Sequence, residues 1–347
     1  MKKKLLLIDG HYLMHRVGHV PALAELKTTT GIRTGIVYGF LNSIANVTEK
    51  FPGFSPYVCF DSGLCQQRLM IFPEYKANRY DTRPREEMTL EEQISYDEKQ
   101  EYLQFFREQR ELLTEVLNLL GIPSLKVDGW EGDDLLALLS KREEGKSVIV
   151  TDDKDMIQLV SETCRVYRPM ASQKESKPVI INLDWFEQNG YTGPQDYMIQ
   201  KSIKGDPSDN IPDSAPGVGG KKIQGFMKIQ EGLREIWASS EKGLEDPDAP
   251  TKVRKLCEDN QIRYASAFLK YKPEVFAINK KIIDLNNVRV FYSDEQVNAV
   301  YAEAERAEQR AKDKRDFFGA IRKFKELEFN MNEESQRYLT PEMFTSF

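Results

Sequence analysis

Carboxylates recur just beyond short apolar runs. Asp9 follows LLLI, and Asp61 follows YVCF. Glu131, Asp133 and Asp134 come after SLKVDGW, Asp153 and Asp155 after SVIVTD, and Asp206 and Asp209 lie in KGDPSDN. Such runs read as buried strands of a parallel sheet. The carboxyl ends of those strands line a single crevice, where acids distant in sequence meet. Nine carboxylates gathered there repel and raise one another's pKa unless cations offset them. Hard oxygen donors suit Mg²⁺, with Mn²⁺ as a substitute. Two ions about 4 Å apart activate a water and stabilise a leaving oxygen, which suits phosphodiester hydrolysis. The competing reading makes the acids N-caps of the following helices. It accounts for one or two of them and fails for E-x-D-D and D-K-D, where acids crowd together.

Other residues add phosphate chemistry. Lys76 and Arg79 in EYKANR stand one helical turn apart and reach toward one phosphate, and Tyr75 beside them offers a ring to a base. Alone, these are also what a solvated helix start looks like. The turn Gly217-Val218-Gly219-Gly220-Lys221-Lys222 is no P-loop, because Ala215 and Lys222 stand where Gly and Ser or Thr are required. Between two short helical stretches it is either a tight connection or a set of backbone N–H groups offered to a nucleic-acid phosphate. His11, His15 and His19 are spaced four apart, yet they follow a strand beside a far richer oxygen site, so they read as packing or solvent residues. Asp9-Gly10-His11 lacks the paired aspartates of a metal phosphatase.

The elements that must position these groups alternate strand and helix as far as about residue 160, the mark of an α/β fold. Strands are expected at Lys4–Asp9, Tyr57–Phe60, after Pro123 and at Ser147–Thr151, with a hairpin over Val166–Ile181. Helices are expected over Ile36–Val47 and Tyr102–Leu120. Residues 74–101 carry nine acids and five bases in 28 positions, too polar for a core. The tail from Ser293 to Leu327 is charged and helical in composition.

With 347 residues there is room for a core domain and a smaller one, and 40% hydrophobic content excludes a disordered chain. The apolar run Leu5–Ile8 is too short for a signal peptide, and no stretch is long enough to span a membrane. Cys59, Cys65, Cys164 and Cys257 show no paired spacing, so a reduced, cytoplasmic protein is expected. The net charge of −6 neither supports nor excludes nucleic acid, since the acid cluster accounts for much of it. Basic residues are grouped at Arg79, Arg83 and Arg85, at Lys221 and Lys222, at Lys280 and Lys281, and over Arg306–Lys325.

Taken in order, LLLIDGHYLMHR, TTTGIRTGIVYGF, YVCFD, FPEYKANR, EGDDLLA, VTDDKDMIQLV, KGDPSDNIP and PGVGGKK resemble the motifs of the flap endonuclease and 5′→3′ exonuclease superfamily. They span residues 4 to about 225, and NKKIIDL at 279–285 resembles a later signature. The resemblance implies a PIN-like nuclease core, a mostly parallel sheet flanked by helices, over residues 1–200. It implies a helical arch or clamp within 74–110, a helix-three-turn-helix element within 201–285 and a charged helical region over 286–347. It assigns metal binding to Asp9, Asp61, Glu131, Asp133, Asp134, Asp153, Asp155, Asp206 and Asp209, leaving Asp152 as an extra acid. Arg16, Lys76 and Arg79 approach the scissile phosphate, and the Gly217–Lys222 turn holds duplex backbone, with K⁺ as a possible ion there. The implied activity is Mg²⁺-dependent cleavage of branched or nicked DNA and of RNA primers in RNA–DNA hybrids, by a monomer. DFFGAIRKFKEL loosely resembles the end of phage enzymes that remove primers, where single-strand-binding or other replication proteins would dock. With no polymerase portion after it, a separately acting nuclease is expected. The rivals are a PIN-like ribonuclease and a non-catalytic binder of branched DNA.

Overall fold

The computed structural model describes residues 3–79, 83–142, 145–169, 177–219, 221–239, 243–245 and 247–329. The chain forms two compact units, one of Met1–Cys65, Thr82–Trp185 and Leu285–Phe347, the other of Gln66–Asp81 and Phe186–Asp284.

The first unit is built on a six-stranded sheet. Its strands are β1 (Lys4–Asp9), β2 (Ser55–Phe60), β3 (Ser124–Lys126), β4 (Lys146–Val150), β5 (Cys164–Arg168) and β6 (Val179–Ile181), in the order β3-β2-β1-β4-β5-β6. The first five are mutually parallel, and β6 closes the edge antiparallel to β5. Every residue of β2 is buried, which is why the central strands read as unbroken apolar runs rather than alternating ones. Leu6, Ile8, Val58, Phe60, Val148 and Val150 form one core with Phe40 and Ile44 of helix Gly35–Lys50 and Leu113 and Leu117 of helix Leu90–Leu119. The chain leaves β1 toward β2 on one side and β4 lies on the other, so the carboxyl ends of β1 and β4 flank the point where strand order reverses. Ligands of open α/β sheets bind at such a point.

The helix expected from Tyr102 begins twelve residues earlier, at Leu90. A capping box starts it: the Thr89 side chain accepts from Glu92 N–H, and the Glu92 carboxylate accepts from Thr89 N–H. Its first turns are exposed and tied by Arg83–Glu92 and Arg85–Asp97 pairs, while one face of its last third, Leu113, Val116 and Leu117, is apolar and buried. Residues 80–82 of the expected arch lie outside the described residues. The expected hairpin is β5–β6, with its 170–176 connection likewise outside. Ala320 and Phe324 of the C-terminal helix Phe317–Glu326 join the same core as the sheet.

The second unit is helical. Phe226, Ile229 and Leu233 of helix Lys221–Ala238 pack with Val253 and Cys257 of helix Ala249–Asp259 and with Phe268 and Phe276. Among the described residues, no helix is long and apolar enough to cross a membrane.

Candidate metal centre and nucleic-acid-binding residues

Seven of the nine carboxylates belong to the sheet unit. Asp9 ends β1 in extended backbone and caps helix Gly10–Gly18: Oδ1 accepts from Tyr12 N–H at 3.0 Å. Its Oδ2 accepts from the Thr151 hydroxyl at 2.9 Å. Thr151, fully buried just past β4, also accepts from Asp153 N–H at 3.0 Å, so one hydroxyl ties the ends of β1 and β4 together. Gly10 makes the tight exit from β1 possible, since a Cβ there would come within 2.5 Å of the Phe60 ring. Burial pushes the Asp9 carboxyl up to about 7, with the charges of Asp61 and then Asp153 adding to it against the Tyr12 and Thr151 hydrogen bonds. The buried Cys59 thiol is also pushed well up, by burial and then by Asp9 and Asp61.

Asp61 follows β2, and its Oδ1 accepts from Gly132 N–H at 2.5 Å. A Cβ on Gly132 would sit 3.0 Å from that oxygen, so the small residue permits the approach. Glu131 is only 3% exposed, and its Oε1 accepts from Cys65 N–H at 3.1 Å. It stands at the N-cap of helix Gly132–Ser140 without a side-chain cap bond, so capping does not explain it. Asp133 is half-buried in the first turn. Asp134 is fully buried and accepts from the Tyr292 hydroxyl at 3.0 Å, and Tyr292 stacks on Trp130 with ring centroids 3.5 Å apart. Asp153 caps the short helix Lys154–Leu159 by accepting from Asp155 N–H at 2.7 Å.

The donor set fits hard divalent cations: oxygen ligands only, with Asp9 raised by burial first and then by the neighbouring charges of Asp61 and Asp153. It is not a ready-made cage. Among the described residues, no three or more His, Cys, Asp or Glu side chains stand close enough to hold an ion directly. An ion that retains several waters, as Mg²⁺ does, suits such spacing. Asp134 differs from the other acids in its complete burial against Tyr292.

Arg16 donates to the Tyr12 hydroxyl at 3.0 Å, and Tyr12 donates to Asp152 Oδ2 at 2.5 Å. Arg168 donates to the Asp152 carbonyl at 3.3 Å. Burial, then the bond to Asp152, raises the Tyr12 phenol, so it stays a donor. Asp152 is thereby engaged outside the metal set, and Arg16 is anchored by Tyr12. His15 stacks on Phe106 at 4.2 Å and burial pulls it down to about 4, in line with a packing role. His11 differs. Burial lowers its pKa against the pull of Asp61, whose N–H lies 3.1 Å from Nδ1. Motif reading missed the Thr151 contacts and took His11 for a packing or solvent residue. The only signal for them was adjacency to Asp152 and Gly10.

The other two carboxylates lie in the second unit with Lys76 and Arg79, two of the expected phosphate-binding cations. Arg79 pairs with Asp209, and Lys76 Nζ is 3.9 Å from the same carboxylate. Lys76 adopts a left-handed backbone, φ 57°, and its N–H donates to the Asp209 carbonyl at 2.8 Å. Burial would raise the Asp206 carboxyl, but Ser208 and Lys201 outweigh it and hold it below the ordinary range. Tyr75, expected to stack on a base, is instead buried with Ile211, Ile282 and Ile283, and the Lys76 ammonium lies 4.8 Å over its ring. Its phenol ring is an anchor for the loop.

In the glycine-rich turn, Gly217 takes φ 85°, where a side chain would be strained. Val218 is 3% exposed and packs inward, so it fixes the turn rather than meeting DNA. The Lys222 ammonium donates to the Gly217 carbonyl at 2.9 Å. Gly220 lies outside the described residues, and of Lys221 only the backbone is described, as the first residue of helix Lys221–Ala238.

The profile of the 5′-3′ exonuclease N-terminal resolvase-like domain matches residues 4–189. The chain is 32% identical over 242 residues to DNA polymerase I of Mycobacterium tuberculosis, covering 68% of this chain and 24% of that protein. To the thermostable DNA polymerase I of Thermus aquaticus it is 31% identical over 250 residues, covering 71% and 26%. The chain thus spans about a quarter of the length of the curated relatives it matches. Among solved structures, the bacteriophage T5 flap endonuclease in complex with DNA and metal ions superposes with a TM-score of 0.58 at 17% identity, over 88% of this chain and all of that one. The T5 5′-exonuclease with zinc gives 0.59 at 19% identity, over 89% of this chain and all of that one. At those identities the likeness shows the PIN-like fold.

Proposed function

Because the chain belongs to the 5′-3′ exonuclease and flap endonuclease superfamily of phosphodiester hydrolases, we propose that it is a Mg²⁺-dependent 5′→3′ exonuclease and flap endonuclease. The proposed substrates are branched or nicked DNA and the RNA of RNA–DNA hybrids. The observation that carries the reading is the cluster of Asp9, Asp61 and Asp153 beyond the parallel strands, where burial first and then the charges of Asp61 and Asp153 lift Asp9 to about 7. Asp9, Asp61, Glu131, Asp133, Asp153 and Asp155 would hold the ions directly or through waters, and Asp134 would brace its helix. Bound divalent ions supply an acidified water and charge stabilisation at the scissile phosphate.

The chain's own cations complete the chemistry. Arg16, held by Tyr12, and Lys76 and Arg79 stabilise phosphate charge without moving a proton. Asp209 keeps Lys76 and Arg79 paired until a phosphate competes for them. Asp206 and Asp209 are proposed ligands of a further ion. The turn at Gly217–Lys222 would bind duplex backbone, with K⁺ as a candidate ion there. Buried free cysteines and a DNA substrate support a cytoplasmic setting.

Cleavage of a 5′-end-labelled flap duplex, with Mg²⁺ and with EDTA, tests the proposal. Metal-dependent cutting near the junction is expected. Tight flap binding without cutting would make the protein a branched-DNA binder, and cutting confined to free structured RNA would make it a ribonuclease.

A further inference from the structure

β1 ends at Asp9, paired with Cys59, so the Asp61 N–H lies beyond the last strand partner on that side. A main-chain donor so placed needs an acceptor. His11 supplies one: its Nδ1 is 3.1 Å from Asp61 N and 3.1 Å from Asp61 Oδ2. One ring nitrogen cannot serve both. Accepting from the N–H leaves Nδ1 unprotonated, and its lone pair then faces the Oδ2 lone pairs across that gap. A cation at Oδ2 relieves this opposition. The ring has little freedom to turn, standing edge-on to Phe60 with centroids 6.2 Å apart and tilted against Phe106 at 5.5 Å. The other carboxylate oxygen, Oδ1, is held by Gly132 N–H.

We propose that His11 is a positioning residue for the metal centre: through Nδ1 it fixes the Asp61 main chain, so that Oδ2 faces the crevice while Gly132 holds Oδ1. This rests on the crevice being a divalent-cation site. Partners that orient a ligand rather than touch the metal typically change affinity about 10–100-fold when removed.

Two variants separate positioning from packing. His11→Phe keeps a ring against Phe60 and Phe106 but offers no acceptor. In His11→Asn the side-chain oxygen occupies the place of Nδ1 and accepts the same N–H. Mn²⁺ binding to the DNA-free protein, by calorimetry, is the readout, with unfolding temperature in EDTA as a check on folding. His11→Phe is expected to raise the Mn²⁺ Kd at least about tenfold, and His11→Asn to stay close to wild type. Wild-type affinity in His11→Phe would overturn the assignment, and so would equal weakening in both variants. No saturable Mn²⁺ binding by the unaltered protein would instead overturn the metal centre, and this role with it.

Discussion

Replacing Asp9 by Asn is expected to stabilise the metal-free protein at neutral pH while removing its response to metal. The Asp9 carboxyl rises from 3.8 to about 7 on folding. Between those values the folded state holds a proton that the unfolded chain has released. The contribution of this group to stability is therefore present below pH 3.8 and lost as pH rises through 7. Fully expressed, a shift of about three units costs about 4 kcal/mol. The Asp9 residue is partly exposed, which reduces both the burial cost and the repulsion, so about 1–2 kcal/mol is the expected effect. Asn caps a helix as well as Asp does, so its oxygen can keep the Tyr12 bond. At about 2–4 °C per kcal/mol, Asp9→Asn should melt a few degrees above wild type at pH 8 in EDTA, with the gap closing toward pH 5. On the proposed metal centre, added Mg²⁺ should raise the wild-type melting temperature, since an ion bound only by the folded state stabilises it, and should do little for the variant. A variant less stable than wild type at pH 8 in EDTA would refute the repulsion argument.

Tyr292→Phe removes the hydroxyl that donates to fully buried Asp134, and a loss of about 1–3 kcal/mol in denaturant unfolding is expected. Unchanged stability would mean that Asp134 is satisfied without it. Lys222→Ala should weaken duplex binding about equally for all sequences and lower the slope of log affinity against log salt by about one. An unaltered slope would remove Lys222 from the phosphate contacts.

Much of the sheet unit was legible because buried parallel strands leave unbroken apolar runs, and LLLI, YVCF and SVIV mark β1, β2 and β4 directly. The acids that follow them were legible for the same reason. The long helix was underestimated because its first turns have no apolar face. Its start was written in Thr89-Leu90-Glu91-Glu92, a capping box that composition alone hides. Tyr75 and Val218 were expected to meet nucleic acid, and the structure buries both side chains, because motif membership does not say which way a side chain points. Thr151 escaped notice, and His11 read as a packing or solvent residue, because their roles depend on register: only the pairing of β1 with β2 and β4 brings them to Asp9 and Asp61. The two-unit division also could not be read locally, since Gln66–Asp81 joins a unit whose remaining residues begin at Phe186.

The most direct test of the acidic crevice is flap cleavage and Mn²⁺ binding followed in one titration, for the wild type and for Asp153→Ala. In wild type, cleavage should rise with saturable binding and vanish in EDTA. In Asp153→Ala, cleavage should be abolished, with flap binding in EDTA retained. Cleavage that persists in EDTA, or full turnover by Asp153→Ala, would contradict the account.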